Sequence, residues 1–330
     1  MSAEGGTKAI VAALLANSGI AITKFIAFFL SGASSMLAEA IHSVADTSNQ
    51  VLLLVGKQRA KRQADAEHPF GYGRSRYVYA FVVAIILFSV GGVFAIYEGY
   101  EKVRHIQEHP DEPALDPAWW WLPLVVLVVA IVLESFSLAT AVREARKHKG
   151  QESWVGYVRH AKAPEIPVVL LEDIAALAGL VFALIGVGLT IITGDGLYDA
   201  IGTFAIGALL VVVAAILGLE MGSLLVGEGA TNRDLIAIRR AIETHPSIDR
   251  IIHLKTLYVG PEELMVGAKL AFPADRTLAQ LSPEVDDIER AIREAVPAAR
   301  IIYLEPDIWR PDAGTDPAPP TDAIVIRSVD

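Results

Sequence analysis

The stretch Ala38-Glu39-Ala40-Ile41-His42-Ser43-Val44-Ala45-Asp46-Thr47-Ser48-Asn49-Gln50 decides how this chain is read. It lies inside Met36–Val55, a segment long enough to cross a membrane as a helix. On a helix His42 and Asp46, four residues apart, stand one above the other, and Asn49 falls on the same stripe. An imidazole and a carboxylate stacked this way are two ready ligands for a divalent cation. An Asp at the bilayer centre costs about 2.5–3.5 kcal/mol on the insertion scale, so an ionisable group there reads first as an ion or proton site. The alternative is a polar clamp that holds two helices together.

Working outward, the composition fits a polytopic membrane protein. Of 330 residues 53% are hydrophobic, and the mean hydropathy is +0.44. There is no cysteine, hence no disulfide and no thiolate for a soft ion such as Cu(I). A net charge of −10 argues against nucleic-acid binding. The first apolar run continues to Leu30 without an A-x-A-like cleavage site and is expected to be a retained span.

Six segments are long enough to span: Ile10–Leu30, Met36–Val55, Tyr77–Tyr100, Trp119–Val142, Ile166–Thr193 and Ile201–Val226. Tyr77, Tyr79 and Trp119–Trp121 read as interfacial anchors, and Lys24 as a side chain snorkelling to the outer surface. The second connection carries Lys57, Arg59, Lys61, Arg62, Arg74 and Arg76; the fourth carries Arg143, Arg146, Lys147, Lys149, Arg159 and Lys162. The third is acidic (Glu108, Asp111, Glu112, Asp116), and the short fifth holds Asp195 and Asp199. Basic loops face inward, which predicts cytoplasmic termini and an integral protein of a bacterial-type plasma membrane.

Beyond the sixth span the pattern changes. Asn232–His245 has helical spacing, Arg250–Val259 and Leu264–Phe272 alternate as strands, and Gly260–Glu263 turns between them. Ser282-Pro283-Glu284 opens a helix with the apolar stripe Val285, Ile288, Ile292 and Val296, and Arg300–Leu304 is a last strand. The fold expected is a six-helix transmembrane bundle followed by a small cytoplasmic α+β domain of order α-β-β-α-β. The domains are 1–229 for transport, 230–310 for the α+β domain and 311–330 for a disordered tail.

The fifth span contains Glu172-Asp173 in an apolar run. Neighbours on a helix point about 100° apart, so one can face a cavity and the other a neighbouring helix. Asp173 with His42 and Asp46 makes three ligands from two helices, with Glu172, Asn49 or water as a fourth. The set suits Zn²⁺ and also admits Mn²⁺, Fe²⁺ or Co²⁺. The alternative for Glu172–Asp173 is a buried salt bridge, and for Glu134 in the fourth span an interhelical hydrogen bond instead of a proton path. Gly179, Gly186, Gly188, Gly202 and Gly207 read as close-packing positions.

At this point the chain resembles the cation diffusion facilitator family of metal–proton antiporters. The motifs are His42-x-x-x-Asp46, His68-Pro69-Phe70-Gly71-Tyr72-Gly73-Arg74 before the third span, Tyr198-Asp199-Ala200-Ile201-Gly202 opening the sixth, and Leu304-Glu305-Pro306-Asp307 at the end. The Phe-Gly-Tyr-Gly-Arg-x-Arg-Tyr form and the acidic pair look most like the subgroup of the zinc transporter 9 relatives. Members of the family at large commonly carry a second His or Asp four residues before the fifth-span Asp; here Val169 stands there, and Glu172 is the natural substitute. A loop metal site found in zinc-transporting relatives is matched by Asp65 and His68, but its third position is Tyr72. Some members bind zinc between the cytoplasmic domains of two protomers; the candidates are His245, His253, Glu305 and Asp307, with a solvated surface as the alternative.

The resemblance implies efflux of a divalent metal, Zn²⁺ first, in exchange for protons by alternating access. Metal requires neutral His and ionised carboxylates, so protons and metal compete for the same atoms. The expected partners are the metal, protons, the bilayer and a second copy of the chain; no cofactor is expected, and no enzymatic chemistry. Transport of Mn²⁺, Fe²⁺ or Co²⁺ is the alternative, and a non-transporting membrane scaffold the other.

Overall fold

The structure, a computed structural model, describes residues 3–310, with side chains from 17 onward except 148; the expected tail 311–330 lies outside the described residues. By contact the chain forms two compact units, one running to Glu228 and including the hairpin tip Val259–Glu262, the other comprising Gly229–Tyr258 and the chain from Glu263.

The first unit is built of long helices. Ser75–Glu108, Leu122–Lys147, Glu165–Thr193 and Leu197–Val226 are long and apolar enough to cross a membrane. α1 (Ala3–Ser31) and α2 (Ser34–Arg59) complete the bundle, α2 being less apolar because it carries the polar stripe. Only Gly32 and Ala33 separate them, and Gly32 makes the reversal at φ +71°, where a side chain would be strained. Val128, Val129, Phe136, Ile192 and Leu219 project from the bundle, as lipid-facing side chains do.

The third span is continuous but not uniform. α3 (Ser75–Ile86) passes through a π-helical segment, Leu87–Val93, into α4 (Phe94–Glu108). The sixth span packs against that segment. A Cβ on Gly92 would meet Val211 at 2.7 Å, and one on Gly207 would meet Ile96 Cγ1 at 2.7 Å and the Gly92 carbonyl at 3.0 Å. The fourth span, α5 (Leu122–Lys149), runs past its expected end. It is followed by an unanticipated short helix, α6 (Trp154–His160), whose start Ser153 caps by accepting from the Gly156 amide. α7 (Glu165–Thr193) and α8 (Leu197–Val226) close the bundle, with Gly186 and Gly202 at their contact. Gly188 has nothing within 4 Å of where a Cβ would sit, so the close-packing reading does not hold for it.

The second unit has the order α9 (Asn232–Glu243), β1 (Arg250–Gly260), β2 (Glu263–Ala271), α10 (Leu278–Ala295) and β3 (Ala299–Asp307). β2 is central. The two residues between β1 and β2 permit only an antiparallel hairpin, whereas β3 pairs β2 in parallel after the α10 crossover. Leu264, Val266, Ala268, Leu270 and Phe272 bury one face against Ile238 and Ile242 of α9 and Ile288 and Ile292 of α10. α10 begins one turn earlier than Ser282-Pro283 suggested. Thr277 and Gln280 form a capping box that satisfies the first amides, and Pro283 sits inside the second turn. The proline removes one backbone donor close to the helix start, where the cost is limited to one carbonyl.

Candidate metal centre

The position of α2 is fixed from the far end of the bundle. Asp199, at the start of α8, accepts from the Ser34 amide at 2.7 Å, the Ser34 hydroxyl at 3.0 Å and the Ser35 amide at 3.3 Å. It thus caps a helix that is not its own, at the positive end of that helix's dipole. The sequence placed Asp199 among loop acids; it is fully buried, and its own amide donates to Thr190 Oγ1.

From that cap α2 runs inward with Glu39, His42, Asp46 and Asn49 on one face. Lys24 does not snorkel outward. Its Nζ donates to Glu39 Oε2 at 2.9 Å and to Ser43 Oγ at 2.8 Å inside the bundle. The reason is depth: counted from the Gly32-Ala33 turn, Lys24 and Glu39 lie at nearly equal depth on two antiparallel helices, so each is the other's nearest counter-charge. The depths follow from the sequence once the two spans are paired as an antiparallel hairpin.

His42 faces the π-helical segment: a Cβ on Gly91 would lie 3.9 Å from His42 Nδ1. π-helical insertions commonly mark functional positions. His42 Nε2 and Asp46 Oδ2 are 3.4 Å apart, without hydrogen-bond geometry. A small cleft between Asn17, Ile20, Ser43, Asp46 and Glu134 opens beside Asp46. Glu39 Oε1, both His42 ring nitrogens, Asp46 Oδ1 and Asn49 Oδ1 are buried without hydrogen-bond partners. Four residues along one helical stripe thus aim unpaired polar atoms inward, a state that demands a reason.

The acidic pair of α7 divides as the helical geometry requires. Glu172 turns to α2, its Oε1 accepting from Asn49 Nδ2 at 2.7 Å; Asp173 turns to α5, its Oδ2 accepting from Ser137 at 3.0 Å. Nothing in the local sequence marks Ser137. Among the described residues no group of three or more His, Asp and Glu side chains stands in metal-holding geometry. His42 with Asp46, and Glu172 with Asn49, are brought together, whereas the expected trio with Asp173 is not gathered at one point. Val169 packs against the apolar core, in keeping with a helix face that offers no ligand there.

Of the remaining candidates, Asp65, Glu305 and Asp307 are closed by their neighbours. Asp65 accepts from Tyr72 Oη at 2.6 Å and from the His68 amide at 2.8 Å, and Arg62 lies 4.4 Å from the centre of the Tyr72 ring. The Tyr72 hydrogen bond, then that of the His68 amide, holds Asp65 below the usual carboxylate range, and the same contact raises Tyr72. His68 Nδ1 is 3.6 Å from Asp65, and its ring lies tilted against Tyr72 with the centroids 4.3 Å apart. In the second unit Lys269 pairs with Glu305 at 3.1 Å and Asp307 at 3.0 Å. Asp307 is held low by the Ile308 amide and then Lys269, and Lys269 is raised by Asp307 and Glu305. His245 Nδ1 accepts from the Ser247 amide at 3.4 Å, and His253 lies half-buried on β1. Glu220 and Glu228 pair with Arg159 and Lys162.

Comparison with known proteins identifies the family. Residues 10–226 match the Cation efflux transmembrane domain. The chain is 31% identical over 294 residues to the human (Homo sapiens) Proton-coupled zinc antiporter SLC30A9, mitochondrial, covering 88% of this chain and 50% of that protein. It is 29% identical over 267 residues to Metal tolerance protein C4 of Arabidopsis thaliana, covering 80% and 57%. With the Cation-efflux pump FieF of Pectobacterium atrosepticum it shares 23% identity over 297 residues, covering 90% and 91%. The chain spans about half the length of the antiporter relatives it matches at 31% identity. A bundle with an inward polar stripe, a domain match over most of its length and these relatives lead to one assignment: the chain belongs to the cation efflux family of membrane transporters, and within it resembles the SLC30A9 relatives.

Proposed function

We propose that this protein moves a divalent metal cation, Zn²⁺ first, across a membrane in exchange for protons, with His42 and Asp46 at the centre of the path and Asp173 joining them during transport. The observation that carries this reading is the row of unpartnered buried atoms on α2. In a membrane interior, polar atoms without partners are costly, and a passing cation is the ligand that imidazole and carboxylate together recognise. Protons suit the same atoms, so binding one displaces the other. Asp173 sits on a different helix, with Ser137 as its partner, and movement of α7 against α2 would bring it to the cation on one side of the cycle. Names of relatives support zinc as first choice: one is a zinc antiporter, another a metal tolerance protein.

The same reading assigns transport to 1–229 and assembly as a homodimer to 230–310, with both termini in the cytoplasm. The absence of cysteine makes the topology easy to test: Ser282→Cys should react with an impermeant thiol reagent only after the membrane is opened. Mass measured in nanodiscs should be that of two chains. The principal experiment is metal-dependent proton movement in vesicles containing the purified protein, screened over Zn²⁺, Mn²⁺, Fe²⁺ and Co²⁺. Counter-movement of protons with Zn²⁺ is expected; Zn²⁺ flux without proton movement would refute antiport. A membrane scaffold is the competing reading, favoured by Val169 and by the dispersed carboxylates; absence of flux for all four metals would select it.

A further inference from the structure

Lys24 and Glu39 form an ion pair that the transport reading leaves without a role. Their side chains are 2% and 0% exposed, and among the described residues Lys24 is the one buried lysine or arginine. Two charges withdrawn from water cost more than a well-packed apolar pair of the same volume, so stability alone is a weak reason to keep them. Their location supplies a better one. Glu39 is one helical turn from His42 on the same face of α2, and Ser43, the second acceptor of Lys24, is next to His42 in the chain. Lys24 and Glu39 are both among the charges that act on His42 and on Asp46. Three carboxylates feel this single ammonium, Glu39 and Asp46 of α2 and Glu134 of α5.

The pair is also given room. Glu39 Oε1 has no hydrogen-bond partner, and a Cβ on Gly179 of α7 would come within 2.8 Å of it. That glycine, read from the sequence as a helix-packing position, leaves space for a carboxylate.

We propose that Lys24 is a resident counter-cation of the transport site, which withholds Glu39 from metal coordination and sets how tightly a divalent cation is held at His42 and Asp46. The inference rests on the transport reading above. A divalent cation about a helical turn away is repelled by the ammonium and attracted by the carboxylate, with little solvent between to screen either. Paired, the two effects nearly cancel; removal of one partner exposes the other. Lys24→Gln leaves a lone carboxylate beside the site, which tightens binding, slows release and, by adding a hard oxygen, moves preference from Zn²⁺ towards Mn²⁺. Glu39→Gln leaves a lone ammonium and weakens binding, although Glu39 is not a ligand.

The test is calorimetric titration of the full chain in nanodiscs with Zn²⁺ and with Mn²⁺ at fixed pH, alongside thermal unfolding. The expected result is Zn²⁺ binding about tenfold tighter in Lys24→Gln, about tenfold weaker in Glu39→Gln, and returning towards wild type in the double variant. Two single variants that lose thermal stability yet bind with wild-type affinity would overturn the inference, leaving a purely structural pair; so would changes of the same sign in both. Either variant decides by its sign if only one is recovered folded. Wild-type protein that binds no divalent cation would overturn the transport reading itself. Binding abolished by Asp46→Ala but untouched in both pair variants would overturn this inference alone.

Discussion

On α2, His42, Asp46 and Asn49 keep buried nitrogen and oxygen atoms without partners. In the loop at Asp65–Tyr72 and on β2–β3 the same kinds of side chain are taken up: Asp65 by Tyr72 and the His68 amide, Glu305 and Asp307 by Lys269. The two groups looked alike as sequence, since each pairs His or Asp at short spacing. What separates them is whether a neighbour already satisfies the polar atoms. A carboxylate closed by a lysine or a tyrosine must give up a bond before it can take a metal; an open one in a dry interior gains from the first cation that arrives.

The sharpest way to break this contrast is Asp46→Ala. Losing the carboxylate that faces His42 should lower Zn²⁺ affinity by at least about 100-fold and stop flux in vesicles while the protein still inserts. Asp173→Ala should stop flux as well, and wild-type flux in that variant would remove Asp173 from the path. Next comes Glu172→Gln. Glu172 orients Asn49 on the open stripe, so the substitution should weaken Zn²⁺ binding about tenfold, in line with the loss of a residue that supports a ligand; unchanged affinity would make Glu172 a packing group.

Tyr72→His sharpens the comparison from the other side. It removes the phenol that closes Asp65 and offers a second imidazole beside His68. The variant should bind one more Zn²⁺ per chain by equilibrium dialysis while central flux stays as in the wild type; unchanged stoichiometry would show that the loop is closed by more than Tyr72.

The smallest effect belongs to Asp307→Asn. Asp307 is held below the ordinary carboxylate range, so its contribution to the folded state is present at neutral pH and is lost as pH falls through that lowered value. Wild type and variant should therefore differ slightly in thermal midpoint at neutral pH and converge in strong acid. A difference that persists in acid would mean that Asp307 acts by packing and not by charge.

Local periodicity along the chain suffices for the class of the fold. Apolar runs of spanning length, alternation on β2 and the Ile288–Ile292 stripe each depend on local periodicity, and each reappears as a long helix, a half-buried strand or a helix face. The sequence also picks out His42, Asp46, Asn49 and the acidic pair, because polar and ionisable residues in apolar runs stand out without any knowledge of their neighbours. Which polar groups are open and which are closed depends on packing between helices. Lys24 was assigned to the surface and Asp199 to a loop, yet one neutralises Glu39 and the other caps α2 from α8. Ser137 acquires a role only because α5 lies against α7. The π-helical segment beside His42 and the capping box that starts α10 at Thr277 also went unread. The physical reason is range: helix and strand patterns come from neighbours a few residues away, whereas the partner of a buried charge is chosen by packing between helices far apart in the chain, 165 residues in the case of Ser34 and Asp199.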